Sequence, residues 1–260
     1  MLEFQIERQA AAPDRTSVAA SSETTILSRD VSAEYVRGKY ALVIFPPAKM
    51  SVVADESGID AEKFANANRE KYAVVANGTY FRKEGDGSYK ATGVLVLDGK
   101  KVYPYQENSW KGVFGITSEG TPFIMGNGAF CQKYAEENYG ALRLAFAGGR
   151  MLVSEGKINE RINDDPNKAS ERTVLGIKGD GSLFLYCTSE KRTQAEIAQD
   201  ILGNVPGVKD AINLDGGSSS QLYAPSKPDM NVGNGNDVLG FFLSPFRGSN
   251  KVHSVICVGK

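Results

Sequence analysis

The chain has 260 residues, 30 Lys and Arg against 31 Asp and Glu, a formal net charge of −1, and 41% hydrophobic and 23% charged residues. This balance excludes a disordered or collagen-like chain. The dispersed, sign-balanced charge argues against a nucleic-acid binder, which gathers a basic face, and no apolar run reaches the roughly 18 residues of a membrane span.

The N-terminal stretch from Met1 to Asp14 carries acids early and lacks a basic start followed by an apolar block, so it does not read as a signal peptide. Two compartments stay open: the cytoplasm, or export with a leader already removed. Phe4 to Arg8 and Tyr35 to Phe45 are β-like. Residues 10 to 25 read as a loop or weak strands, and Ile59 to Arg69 has helical spacing. Tyr72 to Ala76 is an apolar run of buried-strand length, delivering Asn77-Gly78. Lys83 to Ser88 is a turn, and Ala91 to Leu97 with Val102-Tyr103 predicts a hairpin about Asp98-Gly99. Val113 to Thr117 and Pro122 to Met125 predict another, turning at Glu119-Gly120. A helix is expected over Gln132 to Asn138 and a strand over Leu142 to Ala147, ending at Gly148-Gly149.

In the second half, Thr173 to Ile177 and Leu183 to Cys187 flank Lys178-Gly179-Asp180-Gly181, a hairpin signal. Thr193 and Glu196 have the spacing of a capping box that opens a helix to Leu202. Asp210 to Leu214 reads as a buried strand running into Asp215-Gly216-Gly217-Ser218-Ser219-Ser220. Residues 225 to 237 form a long polar loop and a candidate lid. Val238 to Leu243 and Val252 to Val258 close the chain as strands. Strands do not alternate regularly with helices, so the expected fold is α+β: one domain over residues 1–260, with a mixed, mostly antiparallel sheet and a few packed helices.

The three cysteines, Cys131, Cys187 and Cys257, form no CxxC pair, and Cys187 and Cys257 read as small buried hydrophobes in strands. The single histidine, His253, rules out a multi-histidine zinc site and reads as a strand-face residue. Enzymatic acids and bases would then be carboxylates, Tyr or Lys. Three places bring a short apolar strand into polar residues and glycines: Asn77-Gly78-Thr79-Tyr80, Gly148-Gly149, and Asp215-Gly216-Gly217-Ser218-Ser219. Glycine at a rigid strand end admits a ligand close to the backbone, and successive free N–H groups suit anions. Each place alone reads as a tight turn; the third, with a carboxylate beside three hydroxyls, reads best as a site.

Taken together, Asn77-Gly78-Thr79-Tyr80-Phe81, Arg172-Thr173-Val174-Leu175-Gly176-Ile177, the capped helix and the run from Ile212 to Leu222 (INLDGGSSSQL) resemble the phosphodiester glycosidase family in order and spacing. The motifs span residues 73–258, whereas residues 1–70 add little. The resemblance implies hydrolysis of a sugar 1-phosphodiester, with Asn77, Arg172 and Asp215 as catalytic residues in one cleft. Substrate-binding positions would be Tyr80, Gly148, Gly149, Thr173, Gly216, Gly217, Ser218 and Ser219. One departure is Lys251-Val252-His253, where members often carry an Arg-Pro-Val-type segment.

The chemistry suits these residues. A departing phosphate monoester is a weak base and needs less general-acid help than an ordinary glycoside, where two carboxylates act. Arg172 offers a bidentate fork for the phosphate. Asp215 would stabilise the oxocarbenium-like state, attack it, or activate water. Asn77 would hydrogen-bond a sugar hydroxyl or the phosphate, Tyr80 and Trp110 are candidates to stack on a sugar although strand aromatics are usually core, and the Gly216, Gly217 and Ser218 amides would hold phosphate oxygens. No cofactor is required by this scheme. Asp215 and Asn77 also offer hard oxygen ligands for Ca²⁺ or Mg²⁺, although the EF-hand pattern is absent. Two other readings stay open: a non-catalytic module binding a phosphorylated glycan or nucleotide-like ligand, and a phosphodiesterase using the same cleft.

Overall fold

The computed structural model describes residues 22–103, 112–134, 136–162, 168–233 and 251–260. In chain order the strands are β1 (Glu23–Ser28), β2 (Val31–Val36), β3 (Tyr40–Phe45), β4 (Met50–Ile59), β5 (Tyr72–Asn77), β6 (Phe81–Lys83), β7 (Tyr89–Ala91), β8 (Leu95–Leu97), β9 (Lys100–Tyr103), β10 (Gly112–Thr117), β11 (Pro122–Gly126), β12 (Leu142–Ala147), β13 (Met151–Ser154), β14 (Lys157–Ile158), β15 (Ser170–Lys178), β16 (Leu183–Arg192), β17 (Val208–Asn213), β18 (Leu222–Tyr223) and β19 (Val252–Gly259). The α-helices are α1 (Ala61–Ala67), α2 (Asn127–Lys133) and α3 (Gln194–Asn204).

Three sheets carry the architecture. The largest runs β1-β2-β3-β16-β15-β17-β13-β14, the second β11-β10-β12-β8-β9, and the third β18-β5-β19-β4; β6 and β7 pair as a short hairpin. Neighbouring strands pair antiparallel throughout the described residues. The described residues are therefore predominantly antiparallel β with three α-helices, in keeping with an α+β class in which strands dominate.

Period-2 alternation explains the continuous apolar runs of the largest sheet. Val43, Phe45, Leu175, Leu183, Leu185 and Ile212 face a core shared with the other two sheets. Leu42, Val174, Phe184, Tyr186 and Ala211 face the opposite way, against α3. Helix α3 meets them with Ile197, Ala198 and Ile201, one face of its turns, all 0% exposed. The expected capping box starts it: the Thr193 hydroxyl accepts from Glu196 N (3.2 Å), and the Glu196 carboxylate accepts from Thr193 N (2.7 Å).

Several expectations shift. The single strand expected over Tyr35 to Phe45 is two, β2 and β3, because Arg37-Gly38-Lys39 turns there with Gly38 at φ +74° and Lys39 N bonded to Val36 O. The helix expected over Gln132 to Asn138 lies earlier, as α2, followed by a 3-10 turn over Glu136–Ala141. The aromatic side chains anchor this earlier turn, since Phe130 packs on Tyr134 (5.3 Å) and Phe123 (6.4 Å). Of residues 10 to 25, expected as a loop or weak strands, 23–25 begin strand β1 and 10–21 lie outside the described residues. The start of the expected lid, up to residue 233, is tied down: Met230 is 1% exposed, Ala224 N donates to Asn231 Oδ1, and Leu222 bridges Val232. Phe4 to Arg8, Trp110 and Val238 to Leu243 lie outside the described residues. No described helix is long and apolar enough to cross a membrane.

Candidate active site

The site lies where the sheets meet at their strand ends. Strand β5 delivers Asn77, β17 delivers Asp215 and β12 delivers Gly148-Gly149, while Arg172 and Thr173 stand near the start of β15. Backbone bonds stitch these ends together: Leu214 N donates to Thr173 O (2.8 Å), Gly149 N to Asn213 O (2.7 Å), and Gly78 N to Ser254 O of β19 (2.9 Å).

Asp215 is half-buried, and that burial pushes its carboxyl up to about 6. Hydrogen bonds from the Ser219 side chain and from Gly216 N (3.0 Å) favour the ionised form and only partly offset it. Arg172 is 7% exposed. Its Nε donates to Arg192 O (3.0 Å) and its Nη2 to Lys168 O (2.7 Å), so one edge of the fork is used in anchoring the side chain. Burial lowers its pKa, against the opposing influence of Tyr80 and Glu171. A Cβ built on Gly216 would stand 3.9 Å from Arg172 Nη1, which places that nitrogen over the residue next to Asp215. Among the described residues Nη1 has no acceptor and Arg172 makes no ion pair. The expected open bidentate fork is thus narrowed to its outer end.

Asn77 differs from expectation. It is 0% exposed; its Oδ1 accepts from the Thr173 hydroxyl (2.7 Å) and Gln221 N (3.0 Å), and its Nδ2 donates to Asp215 O (2.7 Å). Both lone pairs of Oδ1 are taken and one Nδ2 hydrogen is spent on Asp215 O, so Asn77 holds the Asp215 backbone in place. Thr173, also 0% exposed, serves the same clasp. Asn77 Oδ1, expected with Asp215 as a hard oxygen ligand, already accepts these two hydrogen bonds. Among the described residues no cluster of three or more His, Cys, Asp or Glu could hold a metal.

The glycines divide. A methyl at Gly148 would meet Ile212 Cδ1 at 2.7 Å, and one at Gly149 would meet the Tyr80 hydroxyl at 2.9 Å. The room these two leave is filled by protein, so the expected ligand approach along their backbone is not what they provide. Gly217 has φ +61° and open space where a Cβ would point, while the Gly216 amide already serves Asp215. Ser218 is exposed and Ser219 buried beside the carboxylate. Tyr80 reaches in with its hydroxyl, which accepts from Asn213 Nδ2 (2.6 Å), and it interacts electrostatically with both Asp215 and Arg172.

Local pattern did not single out Asn213, Ser254 or Gln221. Asn213 and Gln221 lie within the INLDGGSSSQL run and carry no separate signal of their own. Ser254, whose Oγ lies 3.0 Å from both Thr79 N and Thr79 Oγ1, has no sequence signal, being 175 residues away. His253 sits on β19, fully buried, edge-on to Tyr103 at 5.1 Å, with burial lowering its pKa.

A family model for phosphodiester glycosidases matches residues 70–258, which include every residue of this cleft. The chain belongs to the phosphodiester glycosidase family. Among curated proteins no sequence matches it. Of solved structures, the phosphodiester glycosidase fold here is similar to the zebrafish N-acetylglucosamine-1-phosphodiester α-N-acetylglucosaminidase catalytic domain, auto-inhibited by its pro-peptide. The TM-score is 0.61 and the identity 20%, over 97% of this chain and 87% of that one. It is also similar to a Synechocystis protein described as hypothetical, with TM-score 0.58 and 12% identity over 94% of this chain and 64% of the other. At these identities the likeness speaks for the fold.

Proposed function

We propose that this protein hydrolyses a sugar 1-phosphodiester at the anomeric carbon and releases free sugar. The observation that carries the reading is the half-buried Asp215 carboxyl, shifted to about 6, beside an Arg172 nitrogen that has no partner among the described residues. A carboxyl that titrates near neutrality is matched to general-base work. Asp215 takes the proton of a water that attacks the anomeric carbon. The bond from that carbon to the bridging oxygen breaks, and its electron pair stays on the phosphate. Arg172 Nη1 balances the charge gathering there. A departing phosphate monoester is a weak base, so this scheme asks for one carboxylate only. Asn77 and Thr173 act as positioning residues that fix the Asp215 backbone.

The zebrafish relative's name specifies N-acetylglucosamine-1-phosphodiester, so N-acetylglucosamine is the first sugar to supply. The test is incubation with a panel of sugar 1-phosphodiesters and analysis of products. Free reducing sugar, released with inverted configuration by NMR, is expected. Sugar 1-phosphate would mean P–O cleavage and a phosphodiesterase; tight binding with no product from any diester would mean a binding module.

A further inference from the structure

Tyr80 was expected to offer its ring face to a sugar, yet its polar end is the part the fold controls. Asn213 is 0% exposed and gives its side-chain nitrogen to two acceptors, Leu214 O (2.7 Å) and the Tyr80 hydroxyl (2.6 Å). A backbone carbonyl only accepts, so the atom facing Leu214 O must be the amide nitrogen, and the amide cannot be flipped. The phenol oxygen therefore accepts from Asn213, and its own hydrogen must point elsewhere. Among the described residues that hydrogen has no acceptor. Gly149 leaves the space the hydroxyl occupies: a methyl there would stand 2.9 Å from the phenol oxygen and 3.0 Å from Cε2. The backbone of Tyr80 is held as well, by Thr92 N at 2.9 Å. The hydroxyl is thus pinned from one side and feels the charges of both Asp215 and Arg172.

We propose that Tyr80 is a catalytic residue whose hydroxyl donates a hydrogen bond to the phosphate oxygen that leaves the anomeric carbon. This rests on the sugar 1-phosphodiester reading. The bond strengthens as the anomeric C–O bond breaks and its electron pair collects on that oxygen, which makes it selective for the transition state. The proton stays on tyrosine throughout. Burial and Asp215 push the phenol up to about 12, whereas a phosphate monoester takes its last proton near ~6, so transfer is far uphill. The balance closes without it: water supplies the hydroxyl for the sugar, Asp215 receives water's proton, and the phosphate leaves as an anion. Arg172 and Tyr80 then approach the leaving phosphate together, one as a charge and one as a neutral donor.

The probe is the methyl diester of N-acetylglucosamine 1-phosphate. Tyr80→Phe should lower kcat by about a hundredfold with KM changed little, in a protein whose circular dichroism matches wild type. Replacement of Tyr80 by fluorotyrosine, a more acidic phenol, supplies a readout that packing alone would not move: kcat should acquire an alkaline limb that the tyrosine protein lacks over the same pH range. A Tyr80→Phe protein with wild-type kcat, or a fluorotyrosine protein without the new limb, overturns the proposal while leaving the hydrolase reading intact. A wild-type protein that releases no sugar overturns both.

Discussion

At the scale of single residues, Asp215 trades stability for reactivity. Its folded-state pKa of about 6 lies above the ordinary 3.8, so the folded protein holds that proton more tightly than the unfolded chain. Stability from this group therefore falls as pH rises from about 4 to about 6 and stays low above it. Asp215→Asn removes that penalty. At pH 8 it should unfold about 1–3 kcal/mol less readily than wild type, read from thermal or urea melts, while turnover falls about 10²–10⁴-fold and ligand affinity is largely kept. In wild type, kcat/KM should rise with pH through about 6 as the carboxylate forms; a rate flat from pH 4 to 8 would remove Asp215 as the base. Arg172→Ala should raise KM and lower kcat for diesters, and lower stability too, because the carbonyls of Lys168 and Arg192 lose their donor. Sequence made Asp215 legible because a carboxylate followed by two glycines and three serines at a strand end has few structural uses. Asn77 was legible as a position, whereas the three bonds that enclose it were not, because their partners lie 96, 138 and 144 positions away.

Secondary-structure elements were readable where the pattern is local. Alternation, turn residues and the Thr193–Glu196 cap placed β5, the β8–β9, β10–β11 and β15–β16 hairpins, and α3. Helix α2 was placed too late, because its anchor is a cluster of aromatic rings brought from β11 and the following turn, which no helical period of its own reveals. The cap of α3 also reaches the site. Arg192, the residue before Thr193, gives its carbonyl to Arg172 Nε and fixes its own guanidinium on Asp200 (2.9 Å) and Glu190. Thr193→Ala should cost about 1 kcal/mol in a denaturant titration and raise KM for the diester, since the Arg192 carbonyl loosens with the helix start. A KM equal to wild type would separate the cap from the site.

At the scale of the whole molecule, the cleft exists only because separate sheets end at one place. The links that make it, Thr79 to Ser254 and Tyr80 to Asn213, join residues 175 and 133 positions apart, and neither has a local signature. Order along the chain and resemblance to a family supplied what periodicity could not. Gly78 is a sensitive point in that assembly: a methyl there would lie 2.5 Å from Ser254 Oγ and 3.1 Å from Ser254 O. Gly78→Ala should destabilise by about 1–3 kcal/mol, seen as a lower melting temperature, and should reduce diester turnover, because Gly78 O also faces Asp215 N at 3.4 Å. A variant with unchanged melting would mean that β5 and β19 can slide apart without cost.

The anchoring of Arg172 has a consequence for the medium in which the protein works. Two carbonyls orient its guanidinium without cancelling its charge, and among the described residues no carboxylate forms an ion pair with it. Inorganic phosphate or sulfate should therefore compete with the diester at this nitrogen, and the inhibition should weaken in the Arg172→Ala protein even where the residual rate can still be followed.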